Sequence, residues 1–171
     1  MQFKQVEGGG GGGKLNWLKI AGGQSVSGVF VGEPLIFYVH DKGMNQGYSI
    51  CAGDGCEECA RGEKKSFKFR INFVTKENGI MVAKVFEKGV RVYKTMAAVN
   101  ADYPLDQWMV KISREGAGKD DTTYNIMPLP NGELTEAQIE ALSSVEMNDL
   151  TPVGAGHAKK APAASSNDLP F

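Results

Sequence analysis

KKSFKFRINFVTKENGIMVAKVF, residues 64 to 86, alternates as only an extended backbone can exploit. Phe67, Phe69, Ile71 and Phe73 fall on one face; Ser66, Lys68, Arg70 and Asn72 fall on the other. Asn78-Gly79 tolerates positive φ, and Ile80 to Phe86 returns rich in β-branched side chains and carries Lys84. The stretch predicts a β-hairpin with an aromatic inner face and a cationic outer one. That outer face has two readings: an ordinary solvated surface, or a groove offering charge to phosphates and rings to bases.

Towards the N-terminus, Leu15 to Ala21 alternates again, with Leu18 and Ile20 on one side and Trp17 and Lys19 on the other. Trp17 reads either as a stacking platform or as a core-rim residue. Gly22-Gly23 permits a bend or bulge before a strand at Ser25 to Val31, Gly32-Glu33-Pro34 predicts a turn, and Leu35 to His40 predicts a further strand with Phe37 and Tyr38 on opposite faces. Gly8 to Gly13 has no side chain to pack and predicts a flexible arm over residues 1–13.

Beyond the hairpin, Val92, Met96, Val99 and Tyr103 form one apolar stripe that Pro104 stops, predicting a helix over about 90–103. Two strands follow. Gln107 to Arg114 places Trp108, Val110 and Ile112 inward and Lys111 outward, and Thr122 to Met127 completes the core, which spans 14–130. Thr135 and Gln138 make a capping-box pattern, with Leu134 and Ile139 as a staple, so a short acidic helix is expected over 136–146, in an appendage covering 131–150. The Ala, Gly, Ser, Pro and Lys composition after Gly154 predicts a disordered tail within 151–171, ending in Asp168-Leu169-Pro170-Phe171. Neither Lys14, followed by Leu15, nor Lys119, followed by Asp120, completes a phosphate-binding loop.

The formal net charge of −1 excludes a uniformly basic surface, but the charge is unevenly spread. Arg61 to Lys94 holds ten Lys or Arg against three Glu, whereas Asp120 to Leu150 holds seven acids and no Lys or Arg. A basic working surface and an acidic C-terminal part that competes for it are expected. No apolar h-region opens the chain and no apolar run approaches the ~18 residues of a membrane span, so a cytoplasmic location is expected.

Cys56-x2-Cys59 has the spacing that aims two thiolates at one ion. Cys51 precedes it in a glycine-containing loop, and His40 ends the strand before. The four predict a Cys3His site, within a loop over 40–61, that suits structural Zn2+ because four protein donors leave no open position. Asp41 is the carboxylate alternative to His40, and three idle thiols are the reading without metal.

The order of elements matches a mainly β fold, the five-stranded oligonucleotide-binding barrel. Here a strand and a metal loop are inserted after the first strand, one helix lies between strands 3 and 4, and a short helix follows the core. Residues 14 to 127, notably LNWLKIAGGQSVSGVFVGEPLIFYVH, CAGDGCEEC, KFRINFVTKENGIMVAKVFEKG and TTYNIMPL, resemble the single-stranded DNA-binding proteins of tailed bacteriophages. The resemblance implies a protein that coats single-stranded DNA in replication, recombination and repair. His40, Cys51, Cys56 and Cys59 resemble, in order, the His-Cys-Cys-Cys zinc site of the T-even phage members. Asp168-Leu169-Pro170-Phe171 is similar to the Asp-Asp-Ile-Pro-Phe ending by which bacterial single-stranded DNA-binding proteins dock replication and repair enzymes. Asn167 stands where that ending has its first acid, and Lys159-Lys160 interrupt the tail.

The function expected is therefore sequence-tolerant, non-catalytic binding of single-stranded DNA, by a homo-oligomer or by a cooperative array of copies on the DNA. Lys19, Lys68, Arg70, Lys84 and Lys111 are the candidate phosphate contacts, and Trp17, Tyr38 and Phe86 the candidate stacking rings. Asp168 to Phe171 is the candidate dock for replication and recombination proteins. A metal-dependent hydrolase would need an open metal position, which this donor set does not leave. A protein-binding adaptor, or a transcription or RNA-binding regulator on the same barrel, is the alternative.

Overall fold

The computed structural model describes residues 15–43, 46–116, 118 and 121–152. The glycine arm, Lys119, His157 and the Asp168–Phe171 tip lie outside the described residues.

The hairpin forms as its alternation requires. Strand β3 (Lys65–Glu77) and strand β4 (Ile80–Gly89) pair antiparallel from Glu77↔Ile80 onward, and Asn78 (φ 51°) and Gly79 (φ 84°) make the two-residue turn. The strand before it is longer than expected. Strand β1 (Ser25–Asp41) runs through Gly32-Glu33-Pro34 without stopping, and pairs with β3 from Gly28↔Thr75 to His40↔Lys65. The expected turn is instead an irregularity between Val31 and Leu35, where β1 carries extra residues relative to β3. Gly32, at φ 80°, supplies the backbone conformation that bends the strand.

Strand β2 (Tyr48–Ile50) pairs with the end of β1, and the one-turn helix α1 (Glu57–Ala60) follows it in the cysteine loop. Helix α2 (Val90–Asp102) matches its predicted span. Strand β5 (Trp108–Glu115) pairs with β1 at Ser25↔Ser113, and strand β6 (Thr123–Glu133) pairs with β5. β6 continues past Met127 through Pro128 and Pro130, which an outermost strand tolerates because one side needs no N–H donors. Helix α3 (Glu136–Ser143) begins with both hydrogen bonds of the Thr135/Gln138 capping box.

The described strands form one six-stranded antiparallel sheet in the order β4-β3-β1-β5-β6, with β2 on β1. This corrects the expected five-stranded closed barrel: no ladder joins β4 to β6 among the described residues. The free edge of β4 is met instead by the segment predicted as the first strand. That segment makes a single parallel bridge, Trp17↔Val85, with Val85 N–H donating to Asn16 O and Leu18 N–H to Val85 O. Among the described residues, α1 makes a third helix where two were expected.

Each face of the sheet is covered. On one, Phe30, Phe69, Ile71, Phe73 and Phe86 pack with Met96 of α2 and with Val110 and Ile112 of β5. On the other, the cross-strand row Val29–Val74–Ala83 packs under Leu142 of α3, with Val145 and Met147 beside it. The acidic segment is thus part of the packed structure and covers a sheet face. Gly28 lies where β1 pairs with both β3 and β5, and a Cβ there would meet Val74 O at 2.2 Å and the Phe73 ring at 2.7 Å. Gly28→Ala should destabilise the protein by about 1–3 kcal/mol, as overpacking does. An unchanged urea midpoint would contradict this close approach.

Candidate metal centre and the basic aromatic face

Three elements bring the predicted ligands together. His40 comes from the end of β1, Cys51 from just past β2, where its N–H donates to Tyr38 O at 2.8 Å, and Cys56 and Cys59 flank the first turn of α1. Gly53 (φ 75°) and Gly55 (φ 83°) turn the chain back between them. All four ligand atoms lie within 4.8 Å of one another. Cys51 Sγ and Cys59 Sγ are 3.5 Å apart, and His40 Nε2 is 3.4 Å from Cys56 Sγ and 3.5 Å from Cys59 Sγ. A tetrahedral ion with metal–sulfur bonds of about 2.3 Å needs donors roughly 3.5–3.8 Å apart, so these residues fit a metal ion. His40 is fully buried, and its Nδ1 lies 3.2 Å from Lys64 O, the bond that turns Nε2 towards the cluster.

The thiols differ electrically. Hydrogen bonds from the backbone at Cys59 and Ala52 pull Cys56 down to about 6. The Cys51 thiol, burial and Cys56 push Cys59 up to about 11. Burial acts to lower the His40 pKa, but hydrogen bonds to Cys51, Cys56 and Lys64 outweigh it and the net shift is upward. A bound cation would offset the repulsion between adjacent thiolates. Metal loading at pH 7 should therefore displace the Cys59 proton, so that at least one proton is released per ion and apparent affinity rises as pH rises. Titration calorimetry in buffers of different ionisation enthalpy checks this, and a heat independent of buffer would contradict it.

The hairpin's outer face is less open than its sequence implies. Cross-strand rows place Leu35, Arg70 and Glu87 side by side, with Phe37 beside Lys68 in the next row and Val31, Asn72 and Val85 in the one before. The Arg70 guanidinium stands 5.2 Å from the Trp17 ring centre and 5.0 Å from that of Phe37, and Lys68 Nζ lies 5.6 Å from that of Tyr48. Arg70 is only 5 % exposed, however. Its Nε donates to Glu87 at 2.7 Å, Nη2 to Tyr48 Oη at 3.2 Å and Nη1 to Leu150 O at 3.2 Å.

Residues 144–152, the strap, cross this face after α3. Asn148 fastens them. Its N–H and Nδ2 donate to Asn72 Oδ1, each at 3.0 Å, its carbonyl accepts from Asn72 Nδ2 at 3.1 Å, its Nδ2 also donates to Ala83 O, and its Oδ1 accepts from Asn16 N–H.

The sequence-predicted contacts divide accordingly. Trp17, 37 % exposed, and Lys68 stand on this face with Arg70, while Lys19 is exposed on the segment before β1. Phe86 is 1 % exposed because it pairs with Ile71 on the inner face, so it cannot stack a base as expected. Tyr38 pairs with Phe67, also on the α2 side, under Lys65. Lys84 is paired with Glu77 at 3.0 Å, and Lys111 is half-buried on β5. Sequence reasoning missed Phe37, Tyr48, Glu87 and Asn148. The signal for Phe37 was its parity with Leu35, which becomes readable only once the β1 irregularity fixes the register.

No family model, curated protein or solved structure matches this chain. Among the described residues, no helix is long and apolar enough to cross a membrane.

Proposed function

We propose that this chain is a non-catalytic single-stranded DNA-binding protein, held by a structural Zn2+ at His40, Cys51, Cys56 and Cys59. The interleaving of cations and rings on one sheet face, Lys68 and Arg70 with Trp17, Phe37 and Tyr48, supports the reading. Phosphates require the cations, and sequence-tolerant stacking requires the rings. Zinc is favoured by the donor set: three thiolates and an imidazole close a tetrahedron, and the ion then supplies cross-linking rather than catalysis. In the same reading Asp168–Phe171 docks replication and recombination proteins.

The strap is the competitor of the strand. Leu150 O and Asn148 occupy Arg70 and Asn72, so DNA engages them only as the strap leaves, and the apparent affinity is reduced by the fraction of molecules in which it is closed. Fluorescence anisotropy with labelled single-stranded and duplex oligonucleotides, over a salt series, tests this. Single strands should bind far more tightly than duplex. Trp17→Ala should weaken binding by about 1–3 kcal/mol, Lys68→Ala should reduce the salt slope by about 1, and Asn148→Ala should tighten binding. Equal affinity for duplex, or no binding at low salt, would overturn the reading.

A further inference from the structure

We propose that Asn72 is the residue by which this face distinguishes an unpaired base from a paired one, an inference that rests on the single-strand reading above. Asn is depleted in strand interiors, and this one is buried in the cross-strand row Val31–Asn72–Val85, where a third Val would suit the sheet. Its amide nevertheless faces outward and is met by a donor and an acceptor side by side. Asn148 N–H donates to Oδ1 at 3.0 Å, and Asn148 O accepts from Nδ2 at 3.1 Å.

A nucleobase edge has that same pattern. On adenine and cytosine an amino donor adjoins a ring-nitrogen acceptor; on guanine and thymine a carbonyl acceptor adjoins a ring N–H donor. A side-chain amide carries one acceptor and a donor group, and a half-turn about its last torsion reverses their order. Asn72 therefore matches the Watson–Crick edge of all four bases, which accounts for sequence tolerance. In a duplex those edges are already paired, so a duplex has nothing to offer it. The strap's backbone at Asn148 is exchanged for a base edge like for like.

The neighbours complete the site. Trp17 is the bridge partner of Val85, which sits across from Asn72, and Arg70 lies two residues along β3 with its guanidinium over the Trp17 ring. A base held edge-on by Asn72 lies beside a stacking surface and a cation.

The test uses the full chain and two probes, an oligothymidylate and the same strand methylated at N3 of every base. Methylation removes the edge donor while leaving the phosphates and the ring face. Wild type should bind the methylated strand at least tenfold more weakly. Asn72→Val, which matches its flanking residues in shape, and Asn72→Ala should each bind the two probes equally, with the salt slope of wild type. Equal binding of both probes by wild type, or discrimination that survives both substitutions, would overturn the role of Asn72 while leaving the single-strand reading in place. Binding of neither probe by wild type at low salt would overturn both.

Discussion

Stripping the proposed metal, or replacing Cys56 with Ser, should lower the thermal unfolding midpoint by about 6–20 °C, with metal content falling from one ion per chain to none. Among the described residues, the other bonds that hold the loop between His40 and Lys65 include the three-residue ladder of β2, the Cys51–Tyr38 backbone bond, the contacts of Glu58 with Ser49 and Lys42, and the bonds of Tyr48 with Glu87 and Arg70; apart from Tyr48, none of these reaches beyond β1 and the loop itself. Structural zinc sites contribute roughly 10–16 kcal/mol of apparent binding in isolated peptides. Thiol deprotonation and loop ordering offset much of this, and a net loss of about 3–5 kcal/mol lowers the midpoint by about 2–4 °C per kcal/mol in a chain of this size. The damage should be local first. Hydrogen exchange should accelerate at Tyr48–Ile50 while Phe69, Ile71 and Phe73 stay protected, because the core beside α2 does not include the loop. A chelated protein that melts at the same temperature would show that the four side chains do not serve as a staple.

Glu87→Ala should be the most damaging single change on the outer face, at about 3–5 kcal/mol. The Arg70 and Glu87 side chains are 7 % and 12 % exposed, and their 2.7 Å bond is reinforced by Tyr48 Oη, which donates to both Glu87 oxygens at 2.8 Å. Removing the carboxylate leaves a guanidinium out of water with only neutral partners. Replacing both members together, Arg70→Met with Glu87→Leu, should recover most of that loss, since a buried ion pair gains little over well-packed apolar residues. Urea unfolding of the two single variants and the double variant gives the cycle. Equal losses in Glu87→Ala and in the double variant would mean that the charge left behind is not what destabilises.

Much of this architecture was legible from period alone. The alternation of Phe67, Phe69, Ile71 and Phe73 fixed the inner face of β3, Asn78-Gly79 fixed the turn, and the capping box located the start of α3. The metal cluster was legible because ligand spacing is local: Cys51, Cys56 and Cys59 lie on one short loop, and His40 ends the strand that enters it. What failed was non-local. Whether a polar sheet face meets water depends on residues far along the chain, and Arg70 is covered by Leu150, 80 positions away. Likewise the parity of β1 is lost at its irregularity, so Tyr38 was taken for the outer face where Phe37 stands. Phe86 was misassigned because its face depends on its pairing with Ile71.

The double pairing of β1 sets the tempo at which the chain can fold. Its ladder with β3 joins residues on either side of the metal loop, all of which are made before β5, and β3 meets β4 across a two-residue turn, so that half of the sheet can assemble first. The other half waits. Ser25 pairs with Ser113, so on a ribosome adding about 5–20 residues per second the start of β1, Ser25 to Gly28, stays without its β5 partner for several seconds. Val26, the one large apolar side chain of that waiting stretch, packs against the core beside α2 only once Ile112 pairs with it. Slow translation between β4 and β5 would lengthen this exposure, and the yield of native protein would then depend on how quickly the last third of the chain is made.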